Sequence, residues 1–403
     1  MPYVVFRSAV LMALLVIVLP GCGYFQSADA DVDDETADFD AEEVLDPDAE
    51  EKTAGDSEVV EGELELKLKV GDRFPLVKRI DQRLQQGDGQ GGMLTNRSML
   101  EMLLSLVVEE ERDGNKRLSV RYHRIKYGHN IAGRSVEYNS DNAGPVPTEA
   151  LVYAGLKDNG FSFWIGPDNR VTELVGFQDF LQRCLRDVPT AFRNQVLRQL
   201  EGTQSEDGLA NFVDDGIGLL PYSNDPQHPA VAVKVGSTWE LKPRRSEGPI
   251  PMNVTTRCVL KNLTEKSAEI SLVGRIIGTA RPVAYNDGAR SMQILLKDGH
   301  CAGQCTIDRR TGLPTQSEVS RYMEMTVTLP NGVEIPQRKE VLTSITSFLD
   351  QGSGTDSAVG MTPTTSSSQV AQTSELSSGP GTQRVSTAGG ERSVFGGSRI
   401  SDR

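Results

Sequence analysis

The sequence predicts a mainly β protein of the α+β class: two similar antiparallel, strongly curved β-sheet halves joined by a short central helical segment. Three observations carry this. Apolar and polar residues alternate along much of the chain after residue 63, turn markers recur in the same order in two stretches, and helical spacing intervenes between them.

Leu64, Leu66, Leu68 and Val70 alternate with Glu65, Lys67 and Lys69, the period of a half-buried strand. Val70-Gly71-Asp72-Arg73-Phe74 then opens the first half, and Val235-Gly236-Ser237-Thr238-Trp239 opens the second. Each is followed by a strand pair around a polar turn. In the first half these are Met102 to Glu111 and Leu118 to Ile125 about Arg112-Asp113-Gly114-Asn115; in the second, Thr255 to Leu263 and Ala268 to Ile277 about Thr264-Glu265-Lys266. A turning strand comes next in both: Phe161 to Ile165 through Gly166-Pro167-Asp168-Asn169, and Cys305 to Asp308 through Arg309 to Pro314. The matching order predicts an internal duplication.

Between the halves, Phe177, Phe180, Leu181, Cys184, Leu185 and Val188 fall at helical spacing, and Phe192, Val196, Leu197 and Leu200 repeat it after Pro189. Two short amphipathic helices near 176–201 are expected to lay an aromatic face on a sheet, with Cys184 as a buried structural thiol. The expected domains are an N-terminal half over 63–227 and a C-terminal half over 228–350.

Both termini read differently. Arg7 followed by the apolar run Ala9 to Leu19 has the shape of a secretory signal, too short to span a bilayer stably. Leu19-Pro20-Gly21-Cys22 closes it like a lipobox, which makes 1–21 a lipoprotein signal peptide and Cys22 the lipidation site; Pro20 departs from the usual small residue. Two or more acyl chains, at about 0.8 kcal/mol per buried methylene, hold a protein on a membrane. Residues 22–62 form an acidic tether, with sixteen acidic residues between Asp29 and Glu61 against Lys52 alone. Residues 351–403, rich in Ser, Thr and Gly with Phe395 the one aromatic, read as a disordered tail.

The chain's net charge of −14 therefore belongs almost wholly to the tether. The folded part has no basic surplus, which argues against nucleic acid as a partner; Lys242, Arg244 and Arg245 read as a solvated hairpin tip. The expected setting is the bacterial cell envelope, lipid-anchored at the outer membrane and facing the periplasm. The partners are the membrane, through the anchor, and an apolar small molecule or an envelope protein.

Chemistry-bearing motifs are sparse. His300-Cys301-Ala302-Gly303-Gln304-Cys305 brings an imidazole and two thiols close in sequence, yet a structural zinc site wants four ligands, and His123, His129 and His228 show no partner spacing. On one straight strand Cys301 and Cys305 lie about 13 Å apart, so a disulfide between them needs a turn at Ala302-Gly303. His300, Cys301 and Cys305 remain weak candidates for a metal or thiol site, with unpaired core thiols as the plainer reading. No nucleophile elbow or phosphate loop is present. The sequence therefore predicts no enzyme, no catalytic residues and no cofactor; an envelope enzyme with a site assembled from distant residues is the alternative. A large apolar cavity would mark a carrier, and a cleft with converging His and carboxylates an enzyme.

The lipobox, Val70-Gly71-Asp72, Val235 to Trp239, Val259-Leu260-Lys261-Asn262-Leu263 and Ile307-Asp308-Arg309-Arg310-Thr311-Gly312 together resemble a family of uncharacterised, duplicated bacterial envelope lipoproteins known only as a domain of unknown function. The resemblance covers roughly Glu63 to Phe348. It implies a secreted, sheet-rich, non-enzymatic protein and transfers no site residues.

Overall fold

The computed structural model describes residues 61–87, 92–131, 133–190, 193, 216–222, 231–246, 250, 252–286 and 291–348. Cys22, the signal, the acidic tether, the second central helix, His228 and the tail lie outside the described residues.

The chain runs β1 (Glu61–Leu64), β2 (Arg73–Gly87), β3 (Met93–Arg112), β4 (Asn115–Ile131), β5 (Arg134–Asn139), helix α1 (Leu151–Ala154), β6 (Gly160–Ile165), β7 (Val171–Val175) and helix α2 (Phe177–Cys184). A 3-10 turn at Ile217–Leu219 leads to β8 (Val231–Lys234), β9 (Thr238–Ser246), β10 (Met252–Leu263), β11 (Ser267–Gly278), β12 (Val283–Asn286), β13 (Ser291–Asp308), β14 (Pro314–Thr328) and β15 (Glu334–Ser347). Thirteen strands form one antiparallel sheet in the order β7-β6-β4-β3-β2-β15-β14-β13-β11-β10-β9, with β5 added to β4 and β12 to β13. The path ends at β7 and β9, so the sheet is open and not a closed barrel. Strands β1 and β8 pair separately.

Each half is a meander, and β15 zips onto β2 through eleven register pairs from Gln337↔Gln86 to Ser347↔Leu76. The two openings are built alike. Gly71 N–H donates to Val108 C=O as Gly236 N–H does to Leu260 C=O, both at 2.8 Å, and Val108 and Leu260 N–H return to Asp72 and Ser237 C=O. The side chains repeat this: Asp72 Oδ2 accepts from Lys69 N–H and Ser237 Oγ from Lys234 N–H, at 2.8 and 3.0 Å. Both glycines have positive φ, +93° and +88°, which an L side chain adopts only under strain.

The expected strand from Leu64 to Val70 is shorter than its alternation suggests. Strand β1 stops at Leu64 because the next backbone groups bond elsewhere: Lys67 N–H donates to Thr311 C=O at 2.9 Å. The extended segment crosses between cores, with Leu64 in one cluster, Leu66 touching both and Leu68 in the other. Lys242, Arg244 and Arg245 sit within β9, not at a hairpin tip. An edge strand tolerates Pro243 and basic residues, which discourage edge-to-edge pairing.

One face of the large sheet carries its apolar side chains and is called the inner face. Over the first half, Phe74, Leu76, Leu100, Leu104, Leu118 and Phe163 are joined by residues of α1 and α2. The helices cover this face through rings: Tyr127 stacks on Tyr153 at 4.2 Å, and Phe161 lies 4.9 Å from Phe180. Over the second half, Cys258, Leu260, Ile270, Cys301, Cys305 and Ile307 pack with Leu64, Val233, Leu219 and Leu220. A third cluster, richer in methionine, gathers Ile276, Met292, Ile294, Leu296, Met323, Met325 and Val327 at the other end of β11, β13 and β14.

Candidate functional site: a polar band on the inner face

The inner face is not uniformly apolar. Along β2 the burial alternates strictly, and the buried side is Phe74, Leu76, Lys78, Ile80, Gln82, Leu84 and Gln86. Side chains two residues apart share a face, so Lys78, Gln82 and Gln86 are carried inward with the core. The register extends this into rows. Arg321 lies opposite Val341, Val341 opposite Gln82, Gln82 opposite Ser98, and Ser98 opposite His129. The next row reads Met323, Lys339, Leu84, Asn96, and the one after it Met325, Gln337, Gln86. At about 4.8 Å per strand, the Arg321 to His129 row spans about 19 Å.

Most of these groups are shielded. Lys78 and Gln82 are 4% exposed, Gln86 5%, Gln337 2%, Asn96 6% and His129 7%. Gln337 Nε2 donates to Gln86 Oε1 at a long 3.5 Å. Tyr127 Oη and His129 Nδ1 lie 2.9 Å apart; burial pushes the phenol up to about 12 and the imidazole downward. Gln82 Oε1 has no hydrogen-bond partner. A buried polar atom left so costs on the order of 1–3 kcal/mol. Lys339 is half-buried, and desolvation lowers its ammonium to about 8.

Sign of charge sets this band apart. Apart from the Glu111–Lys116 pair at the far end of β3 and β4, the inward positions of β2, β3, β4, β14 and β15 include Lys78, Arg321 and Lys339 and no Asp or Glu. The remaining acids of these strands face the other way, where they find partners: Asp81 accepts from Arg97, Glu101 pairs with Lys126 at 2.9 Å, and Glu324 with Arg338 at 3.2 Å. The Arg97 guanidinium holds the Asp81 carboxyl below its usual range. A small recess of about 10 Å³, room for about one water, opens between Gln82, Leu84, Asn96, Ser98, Ile131 and Lys339. A second recess of the same size, under Phe74, Leu106 and Ile345, is apolar.

The expected thiol cluster does not converge. Strand β13 runs straight through Ala302-Gly303, paired on both sides, so the turn that a Cys301–Cys305 disulfide requires is absent. Cys301 and Cys305 face inward, whereas His300 points outward and stacks on Tyr322 at 5.0 Å. Among the described residues no cysteine is in a disulfide, and no group of three or more His, Cys, Asp or Glu side chains could hold a metal. Cys184 is buried on α2, where desolvation pushes its thiol up to about 12. His123 sits at a β-bulge and meets Ser105 Oγ at 2.8 Å, far in register from His129.

The Ile307 to Gly312 motif is a locking turn. Asp308 accepts from Arg310 N–H at 2.9 Å and from the Thr311 hydroxyl at 3.1 Å, and Arg309 donates to the Thr264 carbonyl. Beside it an open cavity of about 510 Å³ is lined by Lys67, Lys266, Asp308, Arg309, Arg310 and Thr315, of mixed charge. Sequence reasoning passed over the polar band. Its signal was the parity of β2, where Lys and Gln share the phase of Phe74, Leu76, Ile80 and Leu84.

Among curated proteins no sequence relative is found. Of solved structures, lipovitellin, described for its lipid–protein interactions, is 9% identical over 70% of this chain and 25% of its own, with a TM-score of 0.38. The chain thus spans a quarter of that relative's length. An outer membrane channel from Pseudomonas putida F1 is 9% identical over 70% and 97% of the two chains, TM-score 0.20; a BenF-like porin from Pseudomonas fluorescens Pf-5 is 6% identical over 69% and 100%, TM-score 0.17. Likenesses this distant carry no argument. Residues 113–314, half of the chain, match a family of unknown function and run from the turn between β3 and β4 through the locking turn, so the protein belongs to that family, DUF6263.

Proposed function

We propose that this protein is a lipid-anchored component of the bacterial cell envelope, held at the outer membrane by acylated Cys22 and facing the periplasm, whose sheet serves as a non-enzymatic binding module for a ligand with a large apolar part. The observation that supports the binding role most is the inner face, where three apolar clusters lie side by side on one open sheet. The methionine-bearing cluster is adaptable, since Met side chains repack around varied shapes. The recesses are small, so a ligand takes its place by displacing side chains packed on the face, such as Ile250 at the methionine-bearing cluster, and not by entering a ready cavity. The like-built openings of the two meanders support an origin by duplication.

Solvent extraction and lipid mass spectrometry of the envelope-purified Cys22→Ser chain test the binding role, because that variant carries no covalent acyl chain to confuse the result. Stoichiometric recovery of an amphiphile is expected; a chain repeatedly isolated bare would contradict the reading. The anchor is tested separately by metabolic labelling with a fatty acid, which the wild type should incorporate and Cys22→Ser should not.

A further inference from the structure

We propose that the polar band reads the headgroup of that ligand, and that the headgroup is anionic: a carboxylate or phosphate on an acyl chain, seated beside Lys339 with its tail along the Met323, Met325 and Val327 side of the face. This rests on the binding role proposed above and adds the class of ligand.

Charge complementarity comes first. Apart from the Glu111–Lys116 pair at the far end of β3 and β4, the inward positions of five adjacent strands hold three cationic side chains and no carboxylate; Glu149, which acts on Tyr127 and His129 from beyond the sheet, is paired with Arg134, and none of the residues lining the recess at Lys339 is acidic. Arg83 and Arg97 also border it, but their guanidinium groups are paired with Glu340 and Asp81 on the other face, which leaves Lys339 as the cation of the recess. Desolvating a lysine without an anion beside it is unfavourable; at Lys339 desolvation is the sole influence acting on the ammonium. A packed sheet gains nothing from that arrangement, whereas an arriving anion would be neutralised in a water-poor setting where its attraction to an ammonium is strongest.

A second observation is independent of charge. Gln82, opposite Ser98 on β3 and two residues along β2 from Leu84 in the Lys339 row, is buried with one end of its amide lacking a partner. Beside an anion, that group completes its bonding with a headgroup hydroxyl or a water that the headgroup carries. Geometry also provides for the tail. Met323 is directly opposite Lys339, and Met325 and Val327 follow it on the same strand with Leu296 and Ile294 of β13 opposite them, so a chain leaving the headgroup towards β13 lies on apolar side chains.

The test uses the full-length Cys22→Ser chain, stripped of bound lipid and titrated with palmitate, methyl palmitate and 1-palmitoyl-glycerol-3-phosphate. Wild-type residues at the band should bind palmitate at least tenfold more tightly than its methyl ester. Lys339→Met should erase that preference while leaving methyl palmitate binding unchanged, and should raise thermal stability, an outcome that damage to the fold would not produce. Gln82→Leu, which keeps the side chain's bulk, is the second variant and should weaken binding of the glycerophosphate more than that of palmitate. Tighter binding of the phosphate than of palmitate assigns the phosphate as the preferred headgroup, and the reverse assigns the carboxylate. Equal binding of palmitate and its ester overturns the headgroup assignment while leaving the apolar-ligand role intact. Binding of none of the three overturns that role itself.

Discussion

At the scale of single residues, the polar band sets local stability against its role. Lys339 has a folded-state value near 8 against an ordinary 10.5. Below pH 8 the ammonium is charged in both folded and unfolded chains, and its desolvation cost is fully present. Between about 8 and 10.5 the folded chain releases the proton while the unfolded chain keeps it, so this penalty fades as pH rises. Lys339→Met is therefore expected to stabilise the ligand-free protein by about 1–3 kcal/mol at pH 7, with the gain shrinking towards pH 10.5. Denaturant titrations of both proteins across that range check it, and a gain constant with pH would show that the lysine is not desolvated. The thiols give a second expectation. Cys184, Cys258, Cys301 and Cys305 are all buried, so a thiol reagent should label them only as fast as the chain unfolds, and all four should react in denaturant.

At the scale of elements, the two opening turns make a matched pair. Neither Gly71 nor Gly236 has an atom within 4 Å of where a Cβ would sit, so alanine at either meets no neighbour and acts through φ alone. Gly71→Ala and Gly236→Ala should each cost about 1–2 kcal/mol, measured as equal shifts in denaturation midpoint; an unaffected midpoint would refute the left-handed turn. These turns were legible in the sequence because Val-Gly-Asp and Val-Gly-Ser announce them. Strand lengths were less so. Strand β3 is readable from Met102 because Leu104 and Leu106 alternate there, but its first nine residues bring Asn96 and Ser98 inward, which breaks the apolar phase. Strand β2 was legible where the opening turn leads into Phe74, but its continuation is masked for the same reason, with Lys78, Gln82 and Gln86 among its inward positions. The residues that make the candidate site are the ones that disguised its strands. Pairing of β1 with β8, and of β15 with β2, joins segments more than 150 residues apart, which alternation within either segment cannot reveal.

At the scale of the whole molecule, β15 on β2 makes one sheet of two meanders, and separating them would leave long bare edges on both. The halves should therefore unfold together. Trp164 in β6 and Trp239 in β9 report on the two halves, and single-tryptophan variants made by Trp164→Phe and Trp239→Phe should give coincident denaturation midpoints; two separated transitions would show independent halves. No described helix is long and apolar enough to cross a membrane.

The most direct test of the central claim, that the inner face is where an amphiphile binds, is photo-crosslinking of a diazirine-bearing palmitate to the full-length Cys22→Ser chain, with the labelled peptides mapped by mass spectrometry. The expected result is labelling concentrated in the β14 peptide around Met323 to Val327 and in the facing part of β13 around Met292 to Leu296, competed away by unlabelled palmitate and weakened about tenfold in Lys339→Met. Labels confined to outward positions, or unchanged by competitor, would contradict the account.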